Sequence, residues 1–424
     1  MKYLPLAMLY LTYNLWAATP AQAEDWPDLP ATDAALSALR ESPAVQAAMN
    51  GSQASTAAGA RIAAGPYEWS VQASGYQRHL HDIGENQSDW YAGLTTTVRL
   101  PGKSTLDEEI GRQTVQEGML SLGDAMHEAG RILLAAWFDW QSASHEADIW
   151  QHQSDLATQQ LTAIEKRIRA GDASQLDGDL ARSAMLQTNM SLQQARLAEQ
   201  NARLRLHQRY PTLQLTEHPS DIHPQPVEKP MQWWIDSGFA DNHELQLAQN
   251  ASQTAGLKAR LADAERTPDP TVSLQYMSEQ SGLTSFVGVT VSVPIAGEMR
   301  LKTSDEQHAL ASMAHQKELA VRQRLQETWA IEWNTATSNW QSWQLAQQAR
   351  QLSERNAEKA ARAYLLGEAS LNDSLLARRQ ALDAALAENQ AAVQAALARY
   401  RLMLDTHHLW AIEPEAVTRS KPHL

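Results

Sequence analysis

The 424-residue chain contains no cysteine, and that absence excludes disulfide staples, thiolate metal sites, thiol nucleophiles and a lipid-bearing N-terminal cysteine. It has no dense basic run, and its formal net charge is -14. Such a surface repels phosphate backbones, so nucleic acid is excluded as a partner. Past the first 23 residues no apolar run reaches ~18 residues, the length of a membrane-spanning helix. If the mature chain crosses a membrane, it must do so as strands. No His-Glu-x-x-His spacing and no nucleophile with a base and an orienting group is legible, so neither an enzyme nor a resident cofactor is expected. Gly102-Lys103-Ser104 has the ending of a phosphate-binding loop, but Thr97 stands where that loop requires glycine.

What the chain does have is a duplication. Arg169-Ala-Gly171-Asp-Ala-Ser-Gln-Leu-Asp177 and Leu365-Leu-Gly367-Glu-Ala-Ser-Leu-Asn-Asp373 each interrupt a very long helical pattern. Each helical block follows two short alternating segments that end at a proline, Pro101 or Pro294. The spacing predicts a first repeat over 24–209, with strands at about 68–76 and 91–100 and helices at about 31–63, 104–169 and 174–209. A Pro- and His-rich linker follows at 210–230. The second repeat, 231–410, carries strands at about 271–277 and 286–293 and helices at about 231–265, 298–366 and 370–409. Residues 1–23 read as a secretory signal ending at Ala21-Gln22-Ala23, and 411–424 as a tail.

The strand periodicity is amphipathic. Val71, Leu94, Leu274 and Val289 each fall on the apolar face of their segment, and Trp69, Tyr76, Trp90, Tyr91 and Tyr276 lie at or near strand ends, as in interfacial aromatic girdles. Strands in a bilayer must close into a barrel, and the smallest common barrels have ~8 strands, so four per chain require several subunits. Two copies would give eight strands and three would give twelve; periodicity alone does not choose. The long helices, each roughly 100 Å if continuous, would then gather into a tube.

This order resembles the TolC family of outer-membrane efflux ducts over essentially the whole mature chain. The resemblance implies an α+β membrane protein with a TolC-like duplicated repeat: four transmembrane β-strands per chain join a shared trimeric 12-stranded β-barrel, which continues into a long α-helical periplasmic barrel. It places the protein in the outer membrane of a Gram-negative bacterium, in contact with outer-membrane lipid. Its partners would be two further copies in a homotrimer, a periplasmic membrane-fusion adaptor and an inner-membrane resistance-nodulation-division transporter. Within the family, Val98-Arg-Leu-Pro101-Gly-Lys103 and Val291-Ser-Val-Pro294 are similar to the CzcC-like branch, which implies heavy-metal cations as cargo. Multidrug efflux or type I protein secretion is the alternative within transport, and a periplasmic coiled-coil adaptor or scaffold is the alternative outside it.

The family's periplasmic gate maps onto Tyr364 as the gate tyrosine, Asp177 as its partner from the first repeat, and Asp373 as an aspartate ring. Leu376 stands in place of a second aspartate ring and Ala369 in place of a gate arginine. Coiled-coil packing for Tyr364, and helix capping for Asp177 and Asp373, are the plainer roles. Gly171 and Gly367 are the expected tip turns and adaptor contacts, since a tight turn between antiparallel helices often needs positive φ. His79, His81 and Asp82 are expected to form a solvated loop rather than a metal site. The mid-arm tryptophans Trp137, Trp140, Trp329, Trp333, Trp340 and Trp343 are expected to pack between helices.

Overall fold

A computed structural model describes residues 26–410. The expected leader and tail lie outside the described residues. The fold is mostly helical with one small antiparallel sheet, and its two halves repeat almost residue for residue in length. In the first, α1 (Thr32–Glu41) and α2 (Pro43–Ala63) lead to β1 (Ser70–Leu80) and β2 (Glu85–Thr97), then to α3 (Pro101–Arg169) and α4 (Gln175–Arg209). In the second, α5 (Met231–Asp241) and α6 (His243–Ala264) lead to β3 (Thr271–Glu279) and β4 (Thr284–Ser292), then to α7 (Glu298–Leu366) and α8 (Leu371–Asp405). Helices α3 and α7 have 69 residues each, and α4 and α8 have 35 each. At 1.5 Å per residue the long arms run about 100 Å.

The four strands form a meander in the order β1-β2-β3-β4, leaving β1 and β4 as edges. The register aligns Val71 with Leu94, Leu94 with Leu274, and Leu274 with Val289. Facing residues of an antiparallel pair point to the same side of the sheet, so this row and the neighbouring Val272–Val291 and Tyr276–Val287 pairs build one apolar face. It is exposed: Val71 is 81% accessible, Leu274 52% and Val289 67%. The opposite face carries Ser70, Thr95, Ser273 and Thr290 in one row and Gln72, Gly93, Gln275 and Gly288 in the next. Hydrogen bonds from Thr95 Oγ1 to Ser273 Oγ (2.9 Å) and between the Thr97 and Thr271 hydroxyls (2.9 Å) lace that polar side together.

Several boundaries differ from those expected. The single helix anticipated over 31–63 is two, because Pro43 cannot continue a helix; Ser42 instead caps the second one, its hydroxyl accepting from the Val45 N–H. The helix anticipated over 231–265 likewise breaks at Asn242, whose side chain accepts from the Leu245 N–H at 2.8 Å. The loop expected over 77–89 is mostly strand. Both faces are polar there, so alternation fades, but cross-strand pairs hold the ladder: His79 with Asn86 (2.7 Å) and Arg78 with Asp89 (2.7 Å). The two prolines are not equivalent. Pro101 is the first residue of α3, where its missing N–H costs nothing, whereas Pro294 precedes the start of α7 by four residues.

Packing follows residue size. Near the sheet α2 lies against α3 closely enough that a Cβ on Gly59 would meet the Gly111 carbonyl oxygen at 2.5 Å. At mid-arm, where α1, α5 and the 210–230 linker cross the bundle, large side chains take over. Trp140, Phe138, Leu133 and Leu206 are fully buried, and Asp28 is locked in by Trp137 Nε1 donating to its carbonyl (2.8 Å) and Tyr400 Oη donating to its carboxylate (3.1 Å). Of the arm tryptophans, Trp140 and Trp329 are buried, while Trp333 and Trp343 donate to the Lys229 carbonyl and Glu388.

All four junctions between sheet and helices converge on one charged cluster. Asp269, between α6 and β3, is buried; it accepts from Lys103 Nζ (2.8 Å), Arg99 Nη1 (3.0 Å), Tyr67 Oη (3.0 Å) and the Leu100 N–H (3.2 Å). Arg99 also grips Asp107 bidentately (2.7 and 2.9 Å) and pairs with Glu265, whose carbonyl accepts from Arg300 of α7 (2.6 Å). Lys103, the residue of the abortive phosphate-loop pattern, is spent here. Burial disfavours the Asp269 carboxylate, but the Lys103 and Arg99 hydrogen bonds outweigh it and hold its pKa below the usual value. Its contribution to stability is therefore present above the ordinary carboxylate range and is lost as pH falls through the depressed value. Asp269→Ala, which removes the buried carboxylate shared by Lys103 and Arg99 and leaves the Tyr67 hydroxyl and the Leu100 N–H without their acceptor, is expected to destabilise the chain by about 3 kcal/mol in a denaturant titration; a change within error would show that Asp269 is dispensable.

Candidate functional site

The end of the arms farthest from the sheet holds the sequence-predicted residues. At both turns the backbone solves the same problem in the same way. α3 stops at Gly171 (φ +78°), where the Asp172 N–H reaches back to the Arg167 carbonyl (2.8 Å); α7 stops at Gly367 (φ +78°), where the Glu368 N–H reaches the Ala363 carbonyl (2.9 Å). These are Schellman closures, in which a left-handed residue frees the chain to satisfy the last helical carbonyls. Ser174 and Ser370 then start the return helices with capping boxes. The Ser174 hydroxyl accepts from the Asp177 N–H while the Asp177 carboxylate accepts from the Ser174 N–H, both at 3.1 Å. Ser370 and Asp373 do the same at 3.2 Å, with a further hydroxyl-to-carboxylate bond of 2.6 Å.

The geometry thus places Asp177 and Asp373 at matching positions three residues into their helices. Both carboxylates are engaged by their own caps. Asp373 is exposed, and the Ser370 hydroxyl and then its N–H hold the carboxyl below the usual range. It is charged at neutral pH and open to solvent.

Tyr364 lies in the last turn of α7 and packs on a small apolar cluster of Ile164, Ala181 and Leu371 that joins the two hairpins. Its hydroxyl is buried without a hydrogen-bond partner in the chain. Burial raises its pKa, with the nearby Arg167 charge opposing. Asp177 is not hydrogen-bonded to it. The group over the ring is Arg167, 5.0 Å from the centroid, whose Nε donates to Asp172 at 2.8 Å. This cation belongs to the first repeat, two residues before the end of α3. Sequence reasoning missed it, although a basic residue in the last turn of a helix ending at glycine is the available signal.

Two clefts open above the tip. One, of about 400 Å³, lies among α3, α4 and α8; the other, of about 780 Å³, lies among α3, α7 and α8. Arg378 borders both, and burial lowers its pKa. His79 bonds Asn86 (2.7 Å) and its ring lies 5.0 Å from that of His81, while His308 bonds Asp263 (2.9 Å) and His315 faces Glu318 (3.5 Å). Among the described residues no group of three or more metal-ligating side chains is arranged to hold an ion, and no helix is long and apolar enough to cross a membrane.

No protein-family model matches the sequence, and no curated protein matches it significantly. Solved structures do match. The chain superposes on CusC, whose crystal structures address folding and transmembrane channel formation, with a TM-score of 0.78 at 14% identity over 88% of this chain and 91% of that one. The Campylobacter jejuni CmeC outer membrane channel gives 0.76 at 14% over 91% and 88%, and the Vibrio cholerae outer membrane protein VceC gives 0.74 at 14% over 89% and 96%. At such identities the likeness establishes the fold, which is that of TolC-like outer membrane channels.

The turn geometry yields a test. Gly367→Ala forces a β-carbon into the left-handed region and is expected to cost about 1–2 kcal/mol, with hydrogen exchange rising at the end of α7. Gly102→Ala, at a helical glycine with nothing within 4 Å of an added Cβ, is expected to be neutral or slightly stabilising. Equal effects of the two would refute a special role for the Gly367 backbone.

Proposed function

We propose that this chain is the outer-membrane duct of a tripartite efflux system, a passive exit channel without catalytic activity. The observation that carries this is the sheet: four antiparallel strands with a continuous exposed apolar face, a polar reverse face and two unpaired edges. Water satisfies such edges but does not favour such a face; lipid favours the face but cannot satisfy the edges. Repeating the chain around an axis, with β4 of one copy against β1 of the next, meets both requirements. Three copies give a barrel of about twelve strands, wide enough for an aqueous lumen, and carry six long arms into the periplasm.

In this duct the two tip turns surround the inner end of the passage. Three copies of Asp373, each charged and exposed, ring the aperture and favour cations there. Tyr364 under Arg167 clamps the second hairpin to the first, and Asp177 stands beside them. Gly171 and Gly367 present their turns to a periplasmic adaptor, and an inner-membrane resistance-nodulation-division pump supplies energy and cargo. The segments Val98–Lys103 and Val291–Pro294, with their similarity to the CzcC-like branch, support metal cations as that cargo; organic toxicants are the second choice.

Two measurements test this. The protein extracted from outer membranes, its mass corrected for bound detergent, is expected at three times the mature chain; a detergent-independent monomer in the soluble periplasm would instead favour a coiled-coil scaffold. In planar bilayers Asp373→Ala is expected to weaken block by trivalent cations added on the periplasmic side by at least tenfold, about 1.4 kcal/mol of binding. Unchanged block would remove Asp373 from the aperture.

A further inference from the structure

Halfway along α7, three carboxyl oxygens from two helices lie buried without a hydrogen-bond donor. Glu332 buries both Oε1 and Oε2, and Asp405, the last residue of α8, buries Oδ2. Asp405 has no accessible side-chain surface. Its other oxygen is accounted for, since Oδ1 accepts from Arg131 Nε of α3 at 2.7 Å. Arg401 approaches as an ion pair, its Nε 3.2 Å from Glu332 Oε1 and 3.9 Å from Asp405 Oδ2, but without a hydrogen bond to either. The same guanidinium nitrogen within 4 Å of both carboxyls brings the two acids side by side, with no donor for their remaining oxygens. Two ionised carboxylates cannot share such a contact, because each is an acceptor only and their charges repel in a poorly solvated site.

We propose that Glu332 and Asp405 share one proton, the Glu332 carboxylic acid donating to Asp405 Oδ2, and that this bond is a pH-sensitive latch holding α7 and the end of α8 onto α3. Every other group facing the pair fits that reading. From α3 come Arg131, which is also paired to Glu128 (3.1 Å), and His127, whose Nε2 lies 2.8 Å from the Leu404 carbonyl and 3.9 Å from Asp405. From beyond α8 comes His407, at positive φ, its ring 5.1 Å from that of His127 and 5.2 Å from that of His243 at the start of α6. Burial, reinforced by the other imidazoles, pushes His407 down to about 3, and burial also lowers His127. These rings are neutral at physiological pH and supply no cation to balance a second carboxylate. Two guanidiniums, Arg131 and Arg401, face three acids, Glu128, Glu332 and Asp405, and the surplus negative charge is removed by a proton.

The direction of the pH response follows from the environment of each group. Burial, followed by the Asp405 charge, raises Glu332 to about 8. A group raised above its unfolded value contributes stability at low pH and loses it as pH rises through the folded value. The imidazoles, lowered by burial, work in the opposite sense: their contribution is present above the ordinary histidine range and is lost as pH falls. The alkaline limb therefore belongs to the carboxyl pair and the acid limb to the histidines. The latch stands on helix packing, independent of the channel reading.

The test uses the full chain in detergent, from near neutrality to about pH 9. The wild type is expected to lose several degrees of melting temperature through this window. Exchange of the Leu402–Thr406 amides, corrected for the chemical rate, should accelerate over the same range. Glu332→Gln keeps a donor toward Asp405 but cannot ionise, so its melting temperature and exchange are expected to stay flat. A slope in Glu332→Gln equal to that of the wild type would overturn the latch, as would a flat wild type. Infrared spectroscopy of the wild type gives a reading that needs no variant: a protonated-carboxyl C=O band must be present near neutral pH and fade on alkalisation, and its absence there refutes the shared proton.

Discussion

The buried carboxylate of Asp269 is the constraint on which the geometry of the whole chain depends. A carboxylate out of water must have its lone pairs filled by strong donors or become protonated, and the donors that fill this one come from far apart in the sequence. Tyr67 arrives from the α2–β1 junction, Arg99, Leu100 and Lys103 from β2–α3, and Glu265 beside it is engaged by Arg300 of α7. Every place where a strand becomes a helix is thereby pinned to the same point. The arms are so long that a few degrees of error at their root would become several ångströms at the tip. A rigid, many-partnered knot at the root is a physical way to deliver the Gly171 and Gly367 turns to the same height.

Much of this was legible in the sequence because its signal is local. Helical periodicity sustained over more than sixty residues, alternation in Val287–Val293, and Gly-x-x-Ser-x-x-Asp after a long helix are patterns that a short window contains. What stayed hidden was non-local or locally ambiguous. Arg99 and Asp269 are separated by 170 positions, and nothing in either segment names the other. Arg167 over Tyr364 is a contact between repeats of the same kind. The strand extensions through Gln77 and Asn86 were hidden because both faces are polar there, so the ladder rests on cross-strand pairs such as His79 with Asn86 that become visible only once the register is known. Ser42 and Asn242 are matched helix caps; each interrupts what periodicity alone reads as continuous.

The two repeats share a frame but divide the chemistry. Both tips use a left-handed glycine and a Ser-Asp capping box, so the backbone requirement is identical. The side chains differ: the first turn carries the Arg167–Asp172 pair and the second presents Glu368 and Asp373 with no cation of its own. The same division recurs at mid-arm, where α3 supplies Arg131 and His127 while α7 and α8 supply Glu332 and Asp405. At the tip Arg167 of the first repeat lies over Tyr364 of the second, and at mid-arm Arg131 reaches Asp405, so the halves attract where they meet. A duplicated chain that had kept identical side chains would face like against like at these contacts.

The same logic sets the relation between folding and assembly. Within one chain the knot, the Gly59–Gly111 contact and the mid-arm core satisfy the junctions, helices and crossings. In the sheet they leave unsatisfied the outward backbone groups of β1 and β4 and the apolar row through Val71, Leu94, Leu274 and Val289. These two deficits cannot be relieved separately. Moving the apolar row into lipid removes the water that the edge N–H and C=O groups need, and leaving the edges in water keeps the row exposed. In the proposed duct, closure of the sheet between copies and entry into the membrane must therefore occur together. The helical arms are paired within the chain, but α7 keeps Met313, Leu319, Ile331, Leu345 and Leu352 exposed, so in the proposed duct packing of arms between copies accompanies closure of the sheet and brings the edges into register.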